Sequence, residues 1–192
     1  MARIKRGWLP RQWSKRIRYS SPEPMGGGTR SGLTIHNEGV KRRCNGDHDW
    51  LAEYVNQKRI PYHAIWCPVC GYWCQMVPFG KAARSMKGGN VDGKGNSANK
   101  AGRVNVQICI IGDDGKTDIS KKKLKNAWVI AEIIEKKKIK KYIRTGNGRS
   151  KKKWMKGGVQ GHKNGPDDDH TDPGALDLER LIRKAYRQRK NR

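Results

Sequence analysis

His162 stands ten residues before Asp172 in the segment Gly161-His162-Lys163-Asn164-Gly165-Pro166-Asp167-Asp168-Asp169-His170-Thr171-Asp172-Pro173-Gly174, and the aspartate opens an Asp-Pro-Gly turn. Imidazole and carboxylate are both good zinc ligands, and three protein ligands plus one open position make a catalytic rather than a structural site. A third ligand must come from elsewhere. His36 is the best placed, because Leu33-Thr34-Ile35-His36-Asn37-Glu38-Gly39 is a short β-prone run that ends in histidine and then turns. Alone, His36 is more simply explained as a satisfied strand histidine. The metal reading rests on the three positions together. Asp167, Asp168 and Asp169 read as a solvated turn, although one of them could serve as ligand if the loop folds differently.

Cysteine chemistry offers a second site. Cys67-Pro68-Val69-Cys70-Gly71 puts two thiols in a turn followed by glycine, a spacing that often holds half of a structural zinc site. Cys44 and Cys74 are the expected other half. Against this stands the reading of reduced thiols at a hairpin tip. Cys109 falls in an apolar run and is expected to be a small buried residue. The five cysteines are an odd number, which fits a reducing cytosol better than a disulfide framework.

Four segments in order, Thr34-Ile35-His36-Asn37-Glu38-Gly39, Pro61-Tyr62-His63-Ala64-Ile65-Trp66, Val106-Gln107-Ile108-Cys109-Ile110-Ile111-Gly112 and the His162-to-Gly174 segment, resemble zinc-dependent N-acetylmuramoyl-L-alanine amidases. That family includes phage endolysins and peptidoglycan-recognition proteins. The resemblance covers about residues 30 to 187. It implies that His36, His162 and Asp172 hold one catalytic Zn²⁺, Asp172 falling where relatives carry Cys or Asp. It also implies that Tyr62, in a Tyr-His pair opening a strand, orients or deprotonates the attacking water. The bond cut would be the amide between N-acetylmuramic acid and the L-alanine of the stem peptide. Two departures stand out. Relatives often carry lysine where this chain has His170, the expected oxyanion donor, whose charge is lost near neutral pH. At Ser85-Met86-Lys87-Gly88 many relatives have a groove-lining histidine that is absent here.

The elements that must position these residues can be read from periodicity. Gly32 to His36 is a strand. Asp47 to Lys58 is a helix, with Asp47 as N-cap and Trp50, Leu51, Tyr54 and Val55 on one face. Tyr62 to Trp66 and Tyr72 to Val77 flank the cysteine turn as a β-hairpin. Val104 to Ile111, apolar on both faces, is a central strand. Ser120 to Ile139 carries Leu124, Ala127, Trp128, Ala131, Ile134 and Ile139 near helical spacing, predicting one long amphipathic helix. Val159 to His162 is a short strand ending at the metal, and Asp177 to Gln188 a closing helix that buries Leu178, Leu181, Ile182 and Ala185. His63 is expected to pack or hydrogen-bond near the site, and His48 to lie on the surface of the first helix. Residues 86 to 102 form a Gly/Asn/Lys loop. The result is an α/β single domain, a mixed central sheet flanked by helices.

At 192 residues, one domain with a proper core is expected, organised as a basic N-terminal arm (1–30), a catalytic domain (31–188) and a basic tail (189–192). The formal net charge is +26, and the basic residues come in blocks: seven from Met1 to Arg18, fifteen from Lys121 to Lys156 and six from Arg183 to Arg192. Such a chain must meet a polyanion. With the resemblance, peptidoglycan and anionic cell-wall polymers are the expected partners, and a monomer is expected. Two alternatives remain from other classes, a nucleic-acid-binding zinc protein and a binding-only peptidoglycan-recognition module. The former leaves His36, Tyr62, His162 and Asp172 without a role. The latter would not need the three ligands. No apolar stretch at the N-terminus is long enough for a signal peptide, and no run approaches a transmembrane helix. For a wall hydrolase this predicts synthesis in the cytoplasm of an infected host and action on the wall after release.

Overall fold

The computed structural model describes residues 3–19, 23–24, 32–39, 44, 48–83, 85, 105–112, 115–143, 157–164 and 171–192. In chain order the elements are β1 (Lys15–Arg16), β2 (Glu23–Pro24), β3 (Gly32–Asn37), α1 (Asp49–Gln57), β4 (Ala64–Trp66), β5 (Trp73–Gln75), β6 (Lys81–Ala82), β7 (Asn105–Ile110), α2 (Trp128–Lys136), β8 (Gly158–Gly161) and α3 (Leu178–Lys190). Six strands form one mixed sheet in the order β1-β5-β4-β7-β3-β8, and β2 pairs with β6 separately. β3 runs parallel to both β7 and β8, β4 runs parallel to β7, and β4 and β5 form the expected antiparallel hairpin. The fold is α/β, as its sequence pattern predicts.

Strand side chains alternate between two faces, and the alternation sorts the core into two layers. Leu33, Ile35, Ala64, Trp66, Trp73, Val106, Ile108, Ile110 and Val159 face α2 and α3. Ile65, Cys74 and Cys109 face Leu51, Ala52 and Val55 of α1. β7 is central and fully buried, as expected. It is not apolar on both faces, however: Asn105 and Gln107 share the face of Cys109 and continue into Thr34 of β3 and Gln160 of β8 beyond it. There Gln160 Nε2 donates to Thr34 Oγ1 at 3.2 Å, and Asn105 Nδ2 donates to the same hydroxyl.

The long helix predicted over Ser120 to Ile139 is instead a 3-10 turn at Ile119–Lys121 and a shorter α2. The apolar positions are buried as their spacing requires, since Leu124, Ala127, Trp128, Ala131, Ile134 and Ile139 all lie in the larger core. What breaks the helix is the competition for its main-chain groups. Trp66 Nε1 donates to the Lys125 carbonyl at 3.0 Å and Trp73 Nε1 to that of Asn126 at 3.1 Å, while the Lys125 amide donates to Pro68 at 2.8 Å. Asn126 sits at φ 56 and donates its side-chain amide to the Gly71 carbonyl at 2.9 Å. That left-handed residue, tolerated by asparagine better than by most side chains, stops the helix from running through.

The basic N-terminal segment joins the body. Ile4 and Leu9 are buried in the main core, and β1 adds an edge strand parallel to β5. Gln75 fastens it, accepting from Leu9 N at 2.6 Å and donating to the Gly7 carbonyl at 2.8 Å. Trp13 packs edge-on against Trp128 with centroids 4.7 Å apart, and Arg16 lies over Trp8. At the other end of the chain, Arg189 pairs with Glu132 at 2.5 Å and Arg192 lies over Trp128.

Candidate metal centre

Register brings the first two ligands together. Ile35 of β3 pairs with Gly161 of β8, so His36 and His162 leave adjacent strands at the same level, at the carboxyl ends of parallel strands. Open α/β sheets bind ligands at that end. The two rings sit 4.5 Å apart, centroid to centroid, and both are buried. A 3-10 turn, His162–Asn164, follows β8, with Asn164 Oδ1 accepting from Gly161 N at 3.2 Å.

Asp172 arrives on a loop tied at several points. Lys163 N donates to the Asp172 carbonyl at 2.8 Å, Lys163 Nζ to the Gly174 carbonyl at 2.8 Å, and Ala175 N to the Gly115 carbonyl at 2.8 Å. Close approach of backbones sets this path. A Cβ on Gly161 would lie 2.3 Å from Pro173 Cδ, and one on Gly174, at φ +61, would lie 2.1 Å from the Gly115 carbonyl oxygen. The carboxylate then reaches both imidazoles, with Oδ1 3.0 Å from His162 Nδ1 and Oδ2 3.2 Å from His36 Nδ1. One ligand atom from each of His36, His162 and Asp172 lies within 4.8 Å of the others. Burial raises the tendency of Asp172 to hold a proton, but the hydrogen bonds and charge of His162 and His36 outweigh it and keep the carboxyl well below the usual range. Two imidazoles and an ionised carboxylate are a donor set that fits zinc.

Tyr62 stands beside them, its ring centroid 5.0 Å from that of His36. Burial, then the neighbouring Cys109 and Asp172, push its hydroxyl well above the ordinary phenol value, so it is protonated at neutral pH. His63, next in the chain, is fully buried: its Nδ1 accepts from Gln107 N at 3.0 Å and its Nε2 lies 2.9 Å from the Lys81 carbonyl. His170, Asp47, residues 86 to 102 and Asp167 to Asp169 lie outside the described residues.

The cysteine set differs from expectation. Cys44, Cys67 and Cys70 come together, but the fourth member of the group is His48, not Cys74. Cys74 lies inside β5, paired with Ile65 and Lys15, and its thiol enters the apolar layer under α1. Burial pushes it up to about 11. His48 is the residue before α1 and is buried rather than on the surface. The signal for it was present in the sequence, since Cys44 and His48 are four residues apart. The polar face formed by Thr34, Asn105, Gln107 and Gln160 was also missed, although the alternation in Asn105-Val106-Gln107-Ile108 carried it.

The fold is that of the N-acetylmuramoyl-L-alanine amidases, endolysins among them. Among the solved structures that share it is a selenomethionine derivative of AmpD, at 18% identity and TM-score 0.59 over 94% of this chain and 97% of that one. Staphylococcus aureus hydrolase AmiA, in complex with its ligand, matches at 16% identity and TM-score 0.61, covering 93% of this chain and 84% of its own. The endolysin amidase LysCS from Clostridium intestinale matches at 12% identity and TM-score 0.55, over 90% and 94%. No family model matches the sequence, and no curated protein does. The likeness is one of fold.

Proposed function

We propose that this chain is a zinc-dependent N-acetylmuramoyl-L-alanine amidase of the phage endolysin type. It would hydrolyse the amide between N-acetylmuramic acid and L-alanine, and so degrade the host wall. The observation that carries the reading is the convergence of His36, His162 and Asp172, from distant parts of the chain, at the strand ends of an amidase fold with Tyr62 alongside. When bound, zinc would supply the Lewis acidity that polarises the amide carbonyl and makes water nucleophilic near neutral pH. His36 and His162 hold their imidazoles on adjacent strands, and Asp172 supplies the anionic oxygen. Tyr62, protonated, orients the attacking water through its hydroxyl. His170 is assigned the oxyanion, donating when charged. The protein would be made in the cytoplasm of the infected host and reach the wall after release. No helix among the described residues is long and apolar enough to cross a membrane.

The test is digestion of purified peptidoglycan by the full chain, with and without chelator. New L-alanine amino termini without new reducing sugars are expected, lost on chelation and restored by zinc. His162→Ala should be folded and inactive. Outer-shell partners of a metal typically cost about 10–100-fold when removed, so a direct ligand should cost more than about 100-fold. New reducing ends, or full activity in His162→Ala, would overturn the assignment.

A further inference from the structure

We infer that Cys44, His48, Cys67 and Cys70 form a structural zinc site of three thiolates and one imidazole, which fastens the β4–β5 turn to the start of α1. One ligand atom from each lies within 4.8 Å of the others. His48 Nε2 is 3.3 Å from Cys44 Sγ and 3.3 Å from Cys70 Sγ, so a single ring nitrogen faces two sulfurs. Four sulfur and nitrogen donors close the tetrahedral shell that zinc prefers in structural sites and leave no open position for water or substrate. This separates the site in kind from the three-ligand group at His36.

The backbone around the cluster is shaped for the same purpose. Cys67 and Cys70 flank a tight turn in which Gly71 N donates to the Cys67 carbonyl at 2.9 Å, with Gly71 at φ +82. The amides of Val69 and Cys70 point at the Cys67 sulfur. Amide donors are much better matched to a metal-bound thiolate than to a neutral thiol, a weak acceptor. His48 precedes α1 in the N-cap position, yet its side chain makes no capping hydrogen bond to the helix. Its imidazole turns to the sulfurs instead.

The location gives the ion a task. α1 covers the sheet face that carries Cys109, and buries only Leu51, Ala52 and Val55. Such a short helix has little apolar area to hold it in place. Tying His48, the residue before it, to the hairpin turn fixes the layer that packs against Tyr62. The hydroxyl of Tyr72 donates to Asp49 Oδ1 at 2.5 Å on the same helix end, and its ring lies 5.3 Å from that of His48. This site does not depend on the amidase reading, and its metal can be counted separately.

The experiment is metal analysis of the purified full chain as wild type, His162→Ala, Cys70→Ser and Cys74→Ser. His162→Ala should retain one zinc, released only when a mercurial modifies the thiols. Exchange of that ion for Co²⁺ should give intense sulfur-to-metal charge-transfer bands and the visible bands of a tetrahedral ion. Cys70→Ser should hold one zinc fewer than wild type, whereas Cys74→Ser should hold the wild-type number. If Cys70→Ser does not fold, the cobalt spectrum and mercurial release of His162→Ala decide alone. A metal-free His162→Ala, a cobalt spectrum without thiolate bands, or a disulfide between any two of these cysteines would overturn the site.

Discussion

Gly161 precedes the metal-facing His162, and the ring of Pro173, next to Asp172, rests against its bare Cα. A methyl group there cannot be accommodated without moving the Asp172 loop, because the contact is with a proline ring rather than a flexible side chain. Gly161→Ala should therefore lower zinc affinity at the His36 site by more than it lowers thermal stability. Competition with a chromogenic chelator measures the first, and calorimetry the second. Wild-type zinc affinity would refute this account of the loop. A second residue-scale expectation concerns His63, whose pKa is lowered to about 3 by burial. A histidine with a depressed folded value binds more protons when unfolded, so its contribution is fully present above the unfolded pKa of about 6.5 and is lost as pH falls towards 3. In denaturant titrations, the stability advantage of wild type over His63→Gln should shrink steadily below that upper value. A pH-independent difference would show that His63 binds its proton equally in the folded and unfolded chain, and so that its burial does not depress its pKa.

At the scale of elements, the segment from Ile119 to Lys136 shows how packing overrides periodicity. Indoles of Trp66 and Trp73 donate to the carbonyls of Lys125 and Asn126, both of which a continuous helix would turn to its own amides. Asn126→Ala removes the hydrogen bond to Gly71 and places alanine in a left-handed conformation that costs L-residues roughly 1–2 kcal/mol. With the lost hydrogen bond, worth about 1 kcal/mol net, a destabilisation of about 2–3 kcal/mol is expected. Asn126→Gly should cost less, because glycine keeps the conformation and loses only the side-chain bonds. Equal costs for the two variants, by equilibrium denaturation, would assign the effect to the hydrogen bonds alone.

For the whole molecule, the net charge of +26 is the dominant long-range property. Some of the basic residues are used internally, as with Arg180 on Asp118 at 2.6 Å, Arg189 on Glu132 and Lys141 on Glu135. Most of the charge has no acidic counterpart, since Lys and Arg number 43 against 17 Asp and Glu. On the proposed function this excess holds the enzyme on an anionic wall. Exposed charges are screened beyond about 8 Å at physiological ionic strength. Lysis of intact cells should fall steeply with added salt, while hydrolysis of a small soluble muropeptide should fall far less. Turbidity and amine-release assays across a salt series compare the two. Equal salt sensitivity, or sequence-selective binding to DNA or RNA, would favour the nucleic-acid alternative.

The sequence by itself determined the longer strands of the main sheet and most of the residues they bury, because the period-2 and period-3.6 patterns report local geometry; the two-residue strands β1, β2 and β6 are too short to carry such a pattern. The strand at β3, the β4–β5 hairpin, central β7 and the closing helix α3 follow from those patterns, and Asp177 caps α3 as its residue type suggests, accepting from Arg180 N at 2.9 Å. It also singled out His36, His162 and Asp172, through their order along the chain and the resemblance that order carries. Only the tertiary structure decided that these three meet, since that depends on the parallel register of β3 with β8 and on the path of the Asp172 loop across Gly161. It likewise decided where the helix before Lys136 begins, and that His48 rather than Cys74 joins the other cysteines. The reason is the same in each case. Partners far apart in the chain compete for the same carbonyl or the same position around a sulfur, and local sequence pattern holds no record of which of them arrives.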